Sequence, residues 1–175
     1  RDMLASLGVA VGNESAIPVE TEAEAAELAR IQALVKSSPD LIDALDEKGV
    51  TLLQKAADDG RLTVAEFLLG HGADIERAGG SGDTALHHAA AHGRRAMVEF
   101  LLGRKARIDA KDRMGNTALF DAAGNGFLAV AKLLLEHGAK AGQVNAGGVT
   151  PLHRAAANNQ AALVELLLKH SASVD

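Results

Sequence analysis

A 33-residue repeat constrains the fold of this chain more than any other feature of its sequence. Related segments begin at Gly49, Gly82, Gly115 and Gly148, a constant spacing of 33 residues. They read GVTLLQKAADDG, GDTALHHAAAHG, GNTALFDAAGNG and GVTPLHRAAANN, and each precedes a second apolar block such as VAEFLLGHGAD. A unit of this size cannot cover its own apolar face. The units are therefore predicted to stack into a one-dimensional solenoid.

Each unit carries the signals of two short helices. A threonine two residues after the leading glycine stands at the N-cap position, where its side chain accepts a hydrogen bond from a free amide. These threonines are Thr51, Thr84, Thr117 and Thr150. The first helix ends at Gly60, Gly93, Gly126 or Asn159, residues that tolerate the left-handed conformation. Lys105 occupies a hairpin column that holds glycine in two other units, so a positive φ there is expected to cost about 1 kcal/mol.

Composition narrows the class of protein. The chain is 47% hydrophobic but only 2% aromatic, which predicts a core of Ala, Leu and Val on closely spaced helices. A net charge of -5 and the lack of stacking rings argue against a nucleic-acid partner. The absence of Cys excludes disulfides, a thiolate nucleophile and Cys-based zinc sites. No apolar run approaches the roughly 20 residues that a membrane span requires.

The usual signatures of catalysis are missing from the sequence. No G-x-S-x-G, H-E-x-x-H or phosphate-binding G-x-x-x-x-G-K-[ST] pattern occurs. Asp58 and Asp59 are adjacent, so on a helix their carboxyl groups diverge instead of sharing a proton. A stacked solenoid also offers a shallow groove where an enzyme needs a pocket that excludes water. We therefore expect no catalytic residues, and no cofactor is implied.

The four segments resemble the ankyrin-repeat family, whose unit contains T-P-L-H-x-A-A followed by LLL-x-x-G-A-D. The resemblance covers about residues 46–175 and implies an all-α repeat solenoid of helix–turn–helix–hairpin units. A degenerate capping unit is expected before it, with a helix opened by Thr21 and Glu24 in capping-box position. The predicted divisions are an N-terminal extension over 1–20, a cap over 21–45, and repeats over 46–78, 79–111, 112–144 and 145–175.

Histidines cluster in the second repeat, in TALHHAAAHG from Thr84 to Gly93. The family resemblance implies that His87 and His153 make buried hydrogen bonds that tie the turns of neighbouring repeats. Phe120 stands in the same column, so that tie is expected to be lost there. The ring is expected to pack inward, and the alternative is a partly exposed anchor for a partner. His88 and His92 fall in polar, variable columns and are predicted to face solvent. A metal site would need further ligands from helices roughly 10 Å away, so metal binding is the distant alternative.

The resemblance implies that the variable columns of the turns and first helices line a concave groove. We call this predicted partner-binding set the groove surface. It consists of Lys48, Val50, Lys55, Asp58, Asp59, Ser81, Asp83, His88, His92, Arg113, Met114, Asn116, Asp121, Asn125, Arg154 and Asn158.

The resulting functional prediction is a non-catalytic module that binds a protein partner, and that regulates or inhibits it. One alternative is a repeat segment of a larger protein that positions a separate effector domain. A more distant one is a metal-binding or hydrolytic protein that uses His88 and His92. The module is expected to be monomeric. The cytoplasm is the expected compartment; a periplasmic or secreted location is the alternative, because the chain begins at Arg1 rather than Met.

Overall fold

Pairs of antiparallel helices stack in sequence order along the chain. The computed structural model describes residues 21–172, so the predicted extension over 1–20 lies outside the described residues. The helices are α1 Glu22–Ser37, α2 Leu52–Asp59, α3 Leu62–Gly70, α4 Ala85–Ala91, α5 Arg95–Gly103, α6 Ala118–Gly124, α7 Leu128–Glu136, α8 Pro151–Ala157 and α9 Ala161–Ala172, with a 3-10 turn at Pro39–Leu41. Residues 21–172 contain no β-strand. The all-α solenoid prediction is confirmed.

The helices form two layers. Helices α2, α4, α6 and α8 pack one against the next as the first-helix layer, and α1, α3, α5, α7 and α9 form the second. Consecutive first and second helices also contact each other within each pair. The division of the stack at residues 46, 79, 112 and 145 stays a prediction.

The core is built from columns that repeat with the 33-residue period. Leu68, Leu101, Leu134 and Leu167 occupy one such column, and each is 0% exposed. The alanines of the first helices are equally buried at Ala57, Ala90 and Ala123, which lets neighbouring helices approach closely. Burial of each leucine column member stabilises the fold by about 2 kcal/mol.

The predicted helix caps are confirmed. Thr51 accepts a hydrogen bond from the amide of Gln54, and the Gln54 side chain accepts one from the amide of Thr51. Gly60 ends α2 in the left-handed conformation, and Asn159 adopts it after α8 with φ of 57°. Lys105 has φ of 69°, so the predicted positive φ of this lysine is also confirmed.

The segment before the first repeat begins with the predicted helix and its N-cap at Thr21, but Glu24 does not complete the predicted capping box, because its carboxylate binds Thr63 instead. The side chain of Thr21 accepts a hydrogen bond from the amide of Glu24 at 3.1 Å. Ile31 and Val35 are the buried residues of α1. Glu24 accepts a hydrogen bond from the hydroxyl of Thr63, which fixes α1 to α3.

Backbone hydrogen bonds join each turn to the next. The amide of Gly80 donates to the carbonyl of Gly49 at 2.7 Å, Arg113 to Ser81 at 3.0 Å, and Ala146 to Met114 at 2.8 Å. These bonds fix the distance between neighbouring turns, so the side chains on the turn tips are presented by a rigid row.

Candidate functional site: the groove surface

The turns are held in shape by an acidic or amide side chain that caps its own loop. Asp46 accepts from the amides of Lys48 and Val50, both at 2.9 Å. Asp112 and Asn145 make the equivalent bonds two and three turns further along, and Gly79 occupies this position in the intervening turn. A hydrogen bond from Lys55, whose Nζ lies 2.7 Å from the carboxylate, together with the Val50 amide lowers the pKa of Asp46 to about 2.

The helix position that holds His87 in the second repeat makes different contacts in each repeat. In the first, Gln54 takes the histidine's role, with Nε2 donating to the carbonyl of Asp83 at 2.6 Å. In the second, His87 is 3% exposed and its Nε2 lies 3.0 Å from the carbonyl of Asn116. Burial lowers the pKa of His87, and the bond to Asn116 opposes that shift. The predicted role of His87 therefore agrees with the structure.

His153 departs from its prediction. It is exposed, and within the described residues its ring contacts only Thr150, through Nδ1. The reason is geometric: the tie needs the turn of a following repeat, and the described residues, which end within α9, contain no such turn.

Phe120 packs inward as expected, with 9% of its surface exposed. The tie between the third and fourth turns is replaced. Asn145 Nδ2 donates to Asn116 Oδ1 at 3.0 Å, beside the backbone bond from Ala146 to Met114. The tie from the helix column is therefore lost at Phe120, as expected, and an amide pair on the turns substitutes for it.

A half-buried charge cluster surrounds His88. Its Nδ1 lies 2.7 Å from Asp58 Oδ1, and its Nε2 lies 2.5 Å from Asp83 Oδ2 at an angle too bent for a hydrogen bond. The side chain of His88 is only 13% exposed. The prediction that His88 faces solvent was therefore wrong, because carboxylates from the first and second repeats enclose it. His92 does face solvent, at 52% exposure, with Nδ1 3.0 Å from Asp58.

The metal alternative gains no support from this cluster. Across residues 21–172, no group of three or more His, Asp or Glu side chains is arranged to hold a metal ion.

A second feature lies between α6 and α8, at the third and fourth turns. It is a cavity of about 250 Å³ lined by Met114, Asn116, Phe120, Asp121, Gly124, Asn125, Asn145 and Arg154. We call it the Asp121 pocket. Burial raises the pKa of Asp121 to about 7, the charges of Asp112 and Asp83 add to the shift, and Arg154 opposes it.

The structure brings the predicted groove-surface residues together in two places. Asp58, Asp83, His88 and His92 form the charge cluster, and Met114, Asn116, Asp121, Asn125 and Arg154 line the Asp121 pocket. Among the pocket residues, Met114 is the most conspicuous, since it is 66% exposed at the tip of the third turn.

The remaining predicted residues join neither group, and several are engaged with the scaffold. Lys55 pairs with Asp46, and Asp59 lies 3.4 Å from Arg61. Asn158 donates to the carbonyl of Gly124 at 2.6 Å. Lys48, Val50, Ser81 and Arg113 occupy the turns, where their backbone groups make the bonds described above.

Sequence reasoning missed some of the residues that shape the site. Phe120, Gly124 and Asn145 line the Asp121 pocket but were not predicted as binding residues. The sequence did carry a signal for Asn145, since Asp46, Asp112 and Asn145 occupy one column of the repeat, in which the second repeat holds Gly79, and each caps its own turn.

A larger cavity, of about 730 Å³, lies away from the groove surface. It is bounded by residues 138–144 of the third hairpin and by His170 and Ser171 of α9. Because its lining reaches the end of the described part of the chain, no site is assigned to it.

Helix pairs stacked at a 33-residue period and joined by hydrogen-bonded turns define the class of repeat solenoid to which this protein belongs. The family model described as ankyrin repeats (3 copies) matches residues 23–112 and 104–175. The chain belongs to the ankyrin-repeat family. No curated protein matches its sequence. Ankyrin repeats are in general protein–protein interaction modules and are typically non-catalytic. No helix in the described range is long and apolar enough to cross a membrane.

Proposed function

We propose that this protein binds a protein partner through the groove surface and regulates or inhibits that partner without catalysis of its own. The observation that carries the proposal is the exposed Met114 on a rigid turn. Two thirds of this apolar side chain meets solvent, while backbone hydrogen bonds hold its loop on both sides. A scaffold that is already ordered loses little conformational entropy when a partner binds.

Charged and polar side chains around Met114 support a specific interface. Arg113 is exposed next to it, and the Asp121 pocket opens behind it. An exposed apolar anchor with a polar surround is typical of the centre of a protein interface. In the alternative function, as a segment that positions an effector domain, the same surface would hold the partner.

The test is site-specific photo-crosslinking in a lysate of the source organism. A photoreactive phenylalanine is placed at position 114, and the matched control carries it at Lys132, an exposed position on α7 in the second-helix layer. We expect one reproducible protein adduct from position 114. The adduct should be lost when His92→Glu, Asp121→Arg and Arg113→Glu are combined in a chain that still shows its helical circular-dichroism spectrum. Adducts from position 132 alone, or adducts that survive the triple change, would place the interface elsewhere.

A further inference from the structure

Asp121 is the one groove-surface carboxylate that the described residues leave without a partner. Within residues 21–172 its side chain makes no hydrogen bond, and no cationic group lies within 4 Å of it. The other carboxylates of the groove surface are engaged: Asp58 and Asp83 by His88, and Asp59 by Arg61. A half-buried carboxylate that loses water without gaining a partner is costly, so its environment favours a ligand that supplies the missing contact.

The charges that face Asp121 make the pocket a site for a cation. The turns contribute the negative charges of Asp112 and Asp83. On α4, the helix that packs against α6, His88 is already in contact with two carboxylates. Asp112 accepts its hydrogen bonds from neutral amides of Met114 and Asn116, so no positive charge neutralises it. The opposing group is Arg154 on α8.

Arg154 does not close the pocket. Its guanidinium lies 5.9 Å from the centre of the Phe120 ring rather than on the Asp121 carboxylate. Its stem runs along Gly124, where an added Cβ would lie 3.0 Å from Arg154 Nε. The guanidinium is therefore placed beside the cavity, and Asp121 remains open to it.

The size and walls of the pocket suit one side chain. A volume of about 250 Å³ is below the roughly 300 Å³ at which small-molecule sites begin. Met114 offers an apolar surface for an aliphatic stem, and the Phe120 ring lines the interior. Long basic side chains bury their methylene stems in this way while the charged head finds a carboxylate.

We propose that the Asp121 pocket receives an arginine or lysine side chain of the protein partner, with Asp121 as the residue that binds its charged head. This inference deepens the proposed function and rests on it. The occupant follows from charge complementarity, since Asp121 makes no ion pair within residues 21–172 and has two more carboxylates nearby, against the single cation Arg154.

Binding of a cation is coupled to the proton on Asp121. The free pocket has a pKa of about 7 at this residue, so the carboxyl is about half protonated at neutral pH. A cation favours the ionised form, and its binding therefore releases a proton and strengthens as the pH rises through 7. Burial raises the starting pKa of Asp121, the charges of Asp112 and Asp83 add to that rise and Arg154 opposes it, and the ligand lowers the pKa.

The test uses n-butylguanidinium, the head and stem of arginine, with the full chain. Carbon-13 NMR of the Asp121 carboxyl reports its titration with and without the probe, and amide shifts map the site. At saturation we expect the pKa of Asp121 to fall by about one unit, equivalent to a tenfold preference of the probe for the ionised form. Neutral n-butylurea should leave the pKa unchanged. Asp121→Asn should abolish the localised amide shifts, and Glu99→Gln, at an exposed carboxylate of α5 outside the groove surface, should retain them.

Several results would overturn the inference. These are an equal response to n-butylurea, amide shifts that persist in Asp121→Asn, no response near the solubility limit of the probe, or preferential binding of butyrate, which would mark Arg154 as the binding group. The outcomes also separate the two proposals. A failed probe with intact crosslinking at position 114 rejects the cation site alone, and a bound probe with no crosslinked partner rejects the protein-binding function alone.

Discussion

The second and third repeats share a backbone but use the same two columns in opposite ways. In the second, His87 ties the next turn and His88 fills the space between Asp58 and Asp83. In the third, the same columns hold Phe120, which packs inward, and Asp121, which has no partner in the described chain. The polar side chains of these two columns in the second repeat are therefore engaged in contacts within the protein. In the third repeat, an ionisable side chain and a cavity remain available to a ligand.

A single repeat can therefore hold a localised site although the backbone of the protein is periodic. The backbone bonds between turns are present at both places, so the third repeat does not lose its position in the stack. Asn116 and Asn145 take over the side-chain tie. The helix positions are thereby released from a structural role and become available for binding.

The largest loss of stability is expected from the substitution His87→Ala. The change removes a buried ring and leaves the Asn116 carbonyl and the Thr84 amide without partners, so the free energy of unfolding should fall by about 3 kcal/mol. His153→Ala is the matched control, since it removes only the cap on Thr150 and should cost about 1 kcal/mol. Urea unfolding followed by circular dichroism measures both. Equal losses at the two positions would contradict a special role for the second repeat.

His88→Gln makes the second repeat resemble the third by leaving Asp58 and Asp83 without their shared imidazole. A loss of about 1–2 kcal/mol is expected, because the largely buried imidazole and its hydrogen bond to Asp58 are removed. His92→Gln, at an exposed histidine of the same cluster, should change stability by less than about 0.5 kcal/mol. Thermal or urea unfolding at neutral pH separates the two, and an unaffected His88 variant would mean that the cluster contributes nothing.

The substitution Asp121→Asn tests how the unpaired carboxyl group of the third repeat makes the stability of the protein depend on pH. The folded pKa of about 7 lies above the ordinary value of 3.8, so the folded chain holds a proton that the unfolded chain releases between these values. The stabilising contribution is complete below about pH 4 and is lost as the pH rises through 7.

Relative to the unaltered chain, Asp121→Asn should therefore gain stability between about pH 5 and 8, by about 1 kcal/mol once solvent screening is allowed for. Asp59→Asn is the control at an exposed carboxylate and should show no such gain. Urea unfolding at both pH values measures the difference. A constant offset between Asp121→Asn and the unaltered chain would show that Asp121 is ionised throughout.

The smallest changes in stability are expected in the hairpins that follow the second helix of each of these two repeats. Lys105 in the second has φ of 69°, and Gly138 in the third has φ of 91°. Lys105→Gly relieves the strain but adds entropy to the unfolded chain, so a net gain of about 0.5 kcal/mol is expected. Gly138→Ala introduces the strain without a steric contact and should cost about 1 kcal/mol. Thermal unfolding of the two variants should give opposite signs.

Sequence patterns alone were sufficient to predict the stack, its helix caps and its buried columns. These features depend on local signals that recur every 33 residues, such as Thr51 at a cap, Asn159 in the left-handed conformation and Leu68 in the core. The periodic pattern fixes them because each repeat meets the same neighbours. The sequence also indicated the groove-surface columns, although their function as an interface stays a prediction.

Which polar residues of those columns have a side-chain partner, and which have none in the described chain, became apparent only from the tertiary contacts. His88 and Asp121 occupy one column and read alike as variable polar positions. Asp58 from the preceding repeat and Asp83 from the adjoining turn enclose the first, whereas Arg154 from the following repeat turns toward Phe120 and leaves the second open. The physical reason is that a side chain's partner depends on non-periodic residues of the neighbouring repeats, and the period of the chain does not encode those pairings.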